Sequence, residues 1–234
     1  AAKSWSHFSF GEKTFLGLAN GVVFPKSKET NDTRSHLFQW DGEKFEKFQS
    51  FDTSWAYKFS HFSLGEHQFL GLTDHVKNSV LYKWNGENFI PFQSFDQKGG
   101  RVFYHFKVGN TDYLALANIF SPSKIYRWNN ESFELVQTLD GLGGRNFLHF
   151  NHKNKDYLLK VVFITGTREN PKTQQKSPIY LISDGKFEKV SEIQTSGAVA
   201  ASKFSSEGKN YIAVANSLSE EVRFAAKSDL YQLS

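Results

Sequence analysis

Tyr113-Leu114-Ala115-Leu116-Ala117-Asn118, followed by Ser123-Lys124-Ile125-Tyr126-Arg127-Trp128, is one copy of a pattern that this chain repeats five times. The aromatic-led run returns at Phe15–Asn20, Phe69–Asp74, Tyr157–Val162 and Tyr211–Asn216, and the serine-led run starts again at Ser35, Ser79, Ser177 and Ser228. Seven residues before each leading aromatic stands a Phe (Phe8, Phe62, Phe106, Phe150, Phe204), so neighbouring copies lie 44 or 54 residues apart. A period of that size belongs to propellers and solenoids, whose units cannot bury their apolar faces alone.

The second copy shows how one unit is built. Tyr57–Phe62 alternates aromatic and polar residues, as a first strand should. Phe69–Thr73 is almost continuously apolar, the mark of a strand covered on both faces. Val80–Trp84 and Phe89–Phe95 supply two more strands, joined at Asn85-Gly86, where a tight turn with positive φ is expected. Asp41-Gly42, Asn129-Asn130 and Asp184-Gly185 occupy the same place, and Gln49, Gln93, Gln137 and Ser191 follow in the fourth strands. Four short strands in about 44 residues make a meander that needs neighbours on both faces, and stacking such sheets around an axis provides them. The expectation is therefore an all-β, five-bladed β-propeller of four-stranded antiparallel blades, one domain over residues 1–234 with repeats at 4–53, 54–97, 98–141, 142–195 and 196–234. The fifth repeat stops at Leu233-Ser234, before its turn, so either its blade has three strands or residues have been lost from an end.

Composition narrows the classes of function. Twenty-four Phe residues among 16% aromatics supply flat, area-rich side chains to fill the space between stacked sheets. Net charge is +4, but cations and anions are interspersed with no basic stripe, so nucleic-acid binding is not expected. With no Cys there is no disulfide, zinc-thiolate site or cysteine nucleophile. Met is absent even at position 1, which points to a start after a processed segment such as a secretory signal. No run of 18 apolar residues provides a membrane span.

The repeat resembles the epilepsy-associated repeat, also called the epitempin, EPTP or EAR repeat, of the leucine-rich glioma-inactivated secreted proteins and several extracellular or cell-surface receptors. Tyr113–Asn118, Ser123–Trp128 and Phe133–Gln137 match its three strands in order. The fourth copy departs most, with Lys160-Val161-Val162 at the small-residue end and Ile182 in place of Trp. The resemblance implies a secreted, non-catalytic module that recognises an extracellular or cell-surface protein, without a cofactor. Better-known members resemble seven-bladed rings, so five repeats imply a tighter one.

Three sets of residues are candidates for binding. His7, His61, His105, His149 and Lys203 all precede the aligned Phe of a first strand. They would either line a central channel as an anion site or pack between blades, and strand alternation, which puts His61 on the face of Phe59, favours packing. Lys203 argues against a metal there. Trp40, Trp84 and Trp128 end third strands beside Asp or Asn. They would either stack on sugars in equivalent glycan pockets, making a multivalent lectin, or fill the gaps between blades. The third set lies in the connections after the second strands, which are long in repeats one (21–34), four (163–176) and five (217–227) and emerge together on one face of a propeller. These loops carry eight cationic side chains against five anionic ones, with Lys26, Arg34, Arg168, Lys172 and Arg223 as candidate contacts. Asn31 and Asn130 head sequons that a secreted protein could glycosylate. No phosphate loop, G-x-S-x-G elbow or H-E-x-x-H motif is present, so the chain is expected not to be an enzyme.

Overall fold

A computed structural model describes residues 2–21, 34–167 and 169–233, and among them there is no helix. Consecutive strands pair antiparallel into meanders, as the repeat requires. The first sheet holds β1 (Ala2–Phe10), β2 (Lys13–Asn20), β3 (Ser35–Trp40) and β4 (Phe45–Phe51). The second holds β5 (Ala56–Leu64), β6 (His67–Asp74), β7 (Ser79–Trp84) and β8 (Phe89–Phe95). The third holds β9 (Gly100–Val108), β10 (Thr111–Asn118), β11 (Lys124–Trp128) and β12 (Phe133–Thr138). In the fourth, β13 (Gly144–His152) and β14 (Lys155–Val162) are followed by a separate small hairpin, β15 (Thr165–Gly166) with β16 (Pro171–Lys172). The fourth sheet then resumes with β17 (Gln174–Ser183) and β18 (Lys186–Ser196). The fifth has three strands among the described residues, β19 (Ala198–Ser206), β20 (Lys209–Asn216) and β21 (Asp229–Leu233). The chain divides into two compact units, Ala1–His105 and Phe106–Ser234.

Two expectations change in detail. The tight turns expected after β3, β7 and β11 are four-residue loops. Asp41 N–H donates to Lys44 O, Asn85 N–H to Asn88 O and Asn129 N–H to Ser132 O, each at 3.1 Å. The side chain that opens each loop is its organiser: Asn85 Oδ1 accepts from Glu87 N and Asn88 N at 3.0 and 2.8 Å, and Asp41 and Asn129 do the same. The second residue takes the positive φ, Gly42 at 111°, Gly86 at 107° and Asn130 at 78°. At the same place the fourth sheet has a two-residue turn instead, with Asp184 and Gly185 at φ 50° and 74° between the paired Ser183 and Lys186. The second change concerns residues 163–176, read as loop, which contain the hairpin β15–β16 and the first three residues of β17.

Side-chain volume sets how sheets stack. In the first unit Phe59 lies over Gly17, where an added Cβ would come within 2.8 Å of its ring, and Phe103 lies over Gly71, where the distance would be 2.5 Å. In the second unit Ala115 and Phe147 keep small and large at these positions, both buried, whereas one core cluster has Leu159 at the small position and Ala201 at the Phe position. Large against small is kept while the sides exchange, as close packing demands.

The outer strands explain the repeated Gln. Each carries a bulge at the residue before it. The register passes over Phe48, Phe92 and Val136, and over Val190 in the fourth sheet. The bulge re-aims the Gln amide across to the next sheet. Gln49 Nε2 donates to Phe89 O at 2.8 Å while its Oε1 accepts from Phe89 N at 3.0 Å. In the second unit Gln137 grips the backbone of Phe187 identically, at 2.7 and 3.0 Å. Among the described residues the fifth sheet has no outer strand to offer such a partner, and its neighbour carries Ser191 where the Gln would be.

Candidate binding face

In the second unit the connections after the second strands meet. Thr173 Oγ1 donates to Ser219 O at 2.9 Å, tying residues 163–176 to residues 217–227. Ile119, Phe120, Leu142, Ile164, Pro171 and Val222 line a cleft of about 570 Å³ between them. Phe120 is 60% exposed and Phe224, on the same loop as Val222, is 87% exposed. Large apolar side chains held in water on a loop cluster are a feature of interaction sites. Val222 has φ of 60°, costly for a β-branched residue, and its N–H is held by Ser219 O at 3.0 Å.

Lys172 and Arg223 are exposed beside this cleft, each adjacent in sequence to a residue that lines it. Arg34 is exposed at the start of β3 in the first unit, where its carbonyl accepts from Asn20 Nδ2 at 2.8 Å. Lys26, Arg168 and the Asn31 sequon lie outside the described residues, whereas Asn130 is exposed at its loop tip.

A second cleft, of about 290 Å³, shares Leu142 and Thr165 with the first. Lys160 lines it while only 1% exposed, at a β14 position equivalent to Leu18, Leu72 and Leu116. Its Nζ donates to Asp140 O at 2.6 Å and Gly141 O at 2.7 Å. Burial lowers its pKa to about 8 although the Asp140 charge opposes the shift. At the mouth Glu192 bridges Lys176 and Lys189, the latter at 2.7 Å. The sequence reading missed Lys160 as a site residue, though a Lys where three other repeats carry Leu was the available signal.

Three members of the His series stack on Phe rings. His61 lies flat on Phe8 with ring centroids 4.4 Å apart, His105 on Phe62 at 4.7 Å, and His149 on Phe106 at 5.2 Å. His61 Nε2 bonds Gln68 Oε1 and His149 Nε2 bonds Asp156 Oδ1, both at 2.9 Å. His7 is exposed, and Lys203 donates to Asn151 O at 2.7 Å. The three Trp residues differ in setting. Trp84 fills the gap between the first two sheets against Phe10, Phe15 and Phe48, at 5.3, 6.1 and 6.0 Å. Trp128 is half-buried on Phe133, and Trp40 is 40% exposed.

The loop end of the first unit carries a cationic aromatic cluster. The Arg101 guanidinium lies 3.8 Å over the Tyr57 ring, and its Nη1 is 2.9 Å from His75 Nδ1, which must accept because a guanidinium only donates. Trp55 meets His75 edge-on at 4.4 Å. Burial first and the Arg101 charge second lower the His75 pKa to about 4, with Lys3 adding to the effect and Asp74 opposing it. For Asp74 burial acts upward, but four N–H donors from Lys77, Ser54, Val76 and Trp55 outweigh it and leave the carboxylate lowered. A His whose folded pKa is depressed stabilises the fold fully above its unfolded value of about 6.5, and that contribution is lost as pH falls toward 4. Wild type is expected to lose about 1–2 kcal/mol more than His75→Gln between pH 6.5 and 4.5, after discounting for solvent screening. Melting curves of both proteins across that range check this. Parallel pH profiles would remove His75 as the cause.

Among the described residues no three His, Cys, Asp or Glu side chains group as metal ligands. No helix there is long and apolar enough to cross a membrane.

Comparison with known proteins agrees with the repeat. Residues 44–85 and 88–129 match the EPTP domain, each match running from the outer strand of one sheet through three strands of the next. No curated protein sequence matches the chain. Similar solved structures include the SapL1 lectin in complex with alpha methyl fucoside, with TM-score 0.54, 9% identity, and coverage of 95% of this chain and 73% of that one. The N-terminal domain of Nup159 matches with TM-score 0.51, 12% identity, and coverage of 97% and 59%. An exo-1,5-alpha-L-arabinanase from a bovine ruminal metagenomic library matches with TM-score 0.50, 6% identity, and coverage of 100% and 93%. At such identities the likeness is one of fold alone, a propeller type of repeated antiparallel sheets. The chain spans less than two thirds of the length of several structures it matches, 58% and 59% in two cases.

Proposed function

We propose that this chain, which belongs to the EPTP repeat family, is a non-catalytic, secreted recognition module that binds a protein partner through the face carrying its long loops. The five-bladed ring read from the five repeats is part of the proposal. The observation that carries it is the apolar cleft where the loops of the fourth and fifth repeats meet, lined by Phe120, Leu142, Ile164 and Val222. Apolar side chains on loops cost solubility without serving the core, and a partner that covers them recovers the hydrophobic term. Lys172 and Arg223 add positive charge beside the cleft, which fits a partner surface of acidic character.

The test replaces residues 163–176 with the short connection of repeat three and measures capture of extracellular proteins by both forms. Loss of at least tenfold in affinity for an identified partner, about 1.4 kcal/mol, is expected. Unchanged binding after the swap would count against the loop face. A second reading, a multivalent lectin, is supported by Trp40, which stands 40% exposed beside Asp41. A hit on a glycan array, with calorimetry giving several sugars bound per chain, would put that reading first, and one sugar or none per chain would argue against it.

A further inference from the structure

Lys160 is an ammonium at a position built for Leu. An ionised group in such surroundings is retained where something compensates it, and here the compensation is incomplete. Its two acceptors are main-chain carbonyls, which carry only partial charge, and they use two of its three N–H donors. No carboxylate among the described residues forms an ion pair with it, and Glu192, the other acid lining the cleft besides Asp140, is already shared by Lys176 and Lys189. The cleft therefore has three ammonium groups and two carboxylates on its walls, with the most buried cation at its floor. It opens beside the apolar cleft, since Leu142 and Thr165 belong to both.

We propose that the two joined clefts take one protein segment in which an apolar side chain stands next to a carboxylate. The apolar group lies against Phe120, Leu142 and Ile164, and the carboxylate is directed at Lys160 between Lys176 and Lys189. This rests on the reading of the loop face as a protein-binding surface and adds the chemistry of what is bound. The neighbouring clefts supply two tests of one ligand, so specificity comes from the pair: an apolar segment without the acid leaves Lys160 uncompensated, and an acid without the apolar group leaves the larger cleft in water.

Two capped peptides, acetyl-Leu-Phe-Glu-amide and acetyl-Leu-Phe-Gln-amide, differ by one charge at constant shape and serve as probes. Titrated into the full chain at low salt and followed by NMR, the Glu peptide is expected to bind about tenfold more tightly than the Gln peptide, a difference of about 1.4 kcal/mol. Lys160→Leu installs the residue of three other repeats and should cut the difference to about threefold or less while keeping the affinity for the Gln peptide. Lys189→Gln, at the exposed mouth, should reduce the preference two- to threefold without touching the buried position, and it keeps the test open if Lys160→Leu folds poorly. A bound carboxylate should also raise the pH at which the Lys160 amine titrates. Equal affinity for the two peptides, no binding of either, or an undiminished Glu preference in both variants would overturn the proposal. Equal affinity would leave the apolar cleft as a protein site, and partner capture that survives the loop swap would instead remove the loop face itself, so the two failures are separable.

Discussion

Gly71→Leu is expected to lower the melting temperature by about 6–12 °C, from a cost of about 3 kcal/mol at roughly 2–4 °C per kcal/mol for a chain of this length. The cause is volume. A Cβ at position 71 would stand 2.5 Å from Cδ2 and 2.9 Å from Cγ of Phe103, a ring 2% exposed and held edge-on by Phe95 at 5.0 Å. Backbone preference works the other way, because Gly is a poor strand residue and its replacement alone would help. Phe103→Ala should cost about 3–5 kcal/mol through the cavity it leaves. The two changes together recreate the arrangement that Leu159 and Ala201 have in the second unit, so the double variant should be more stable than the sum of its parts predicts by about 1–3 kcal/mol. Thermal or urea unfolding of the four proteins measures the coupling. Strict additivity would show that Gly71 and Phe103 do not share one space.

The same pair shows why the sequence was readable to one depth and not to the next. Strand positions followed from alternation and continuous apolar runs: Phe89–Phe95 was expected and is β8, and Phe69–Thr73 lies within β6, whose last six residues are all buried. Those signals are local and repeat five times. What one sheet demands of the next is not local. The exchange of Gly71 with Phe103 for Leu159 with Ala201 only makes sense once sheets are stacked, and the sequence reading did not single it out. The Asn-Gly and Asp-Gly pairs announced turns but not their length, because the same residues serve a two-residue turn through φ and a four-residue loop through the side-chain carbonyl. The candidate face was legible only as long connections with excess positive charge. Its apolar lining comes from short pieces of several connections, Ile119-Phe120, Leu142, Ile164 and Val222, which no window along the chain brings together.

The largest polar effect is expected at Gln137. Its amide is the one side chain that satisfies both the N–H and the C=O of Phe187, so Gln137→Ala leaves two half-buried backbone groups without it, at a cost of about 2–4 kcal/mol. Gln137→Glu sharpens the test because it changes almost no volume. The oxygen that accepts from Phe187 N–H survives, but the other oxygen replaces a donor 2.7 Å from Phe187 O. As a carboxylate it repels that carbonyl; once protonated it can donate to it. The folded protein therefore favours the protonated acid and raises its pKa above the unfolded value of about 4.3. With a raised folded pKa, the favourable contribution is complete below the unfolded value and is lost as pH rises through the folded one. The gap in melting temperature between wild type and Gln137→Glu should thus be wide at pH 7 and should narrow as pH falls toward 4.5. Comparing the gap, rather than either curve, cancels the acid sensitivity that both proteins share through His75. A gap that stays constant over that range would mean that the Gln137 amide does not donate to Phe187, and the repeated Gln would then need another explanation than a clasp between sheets.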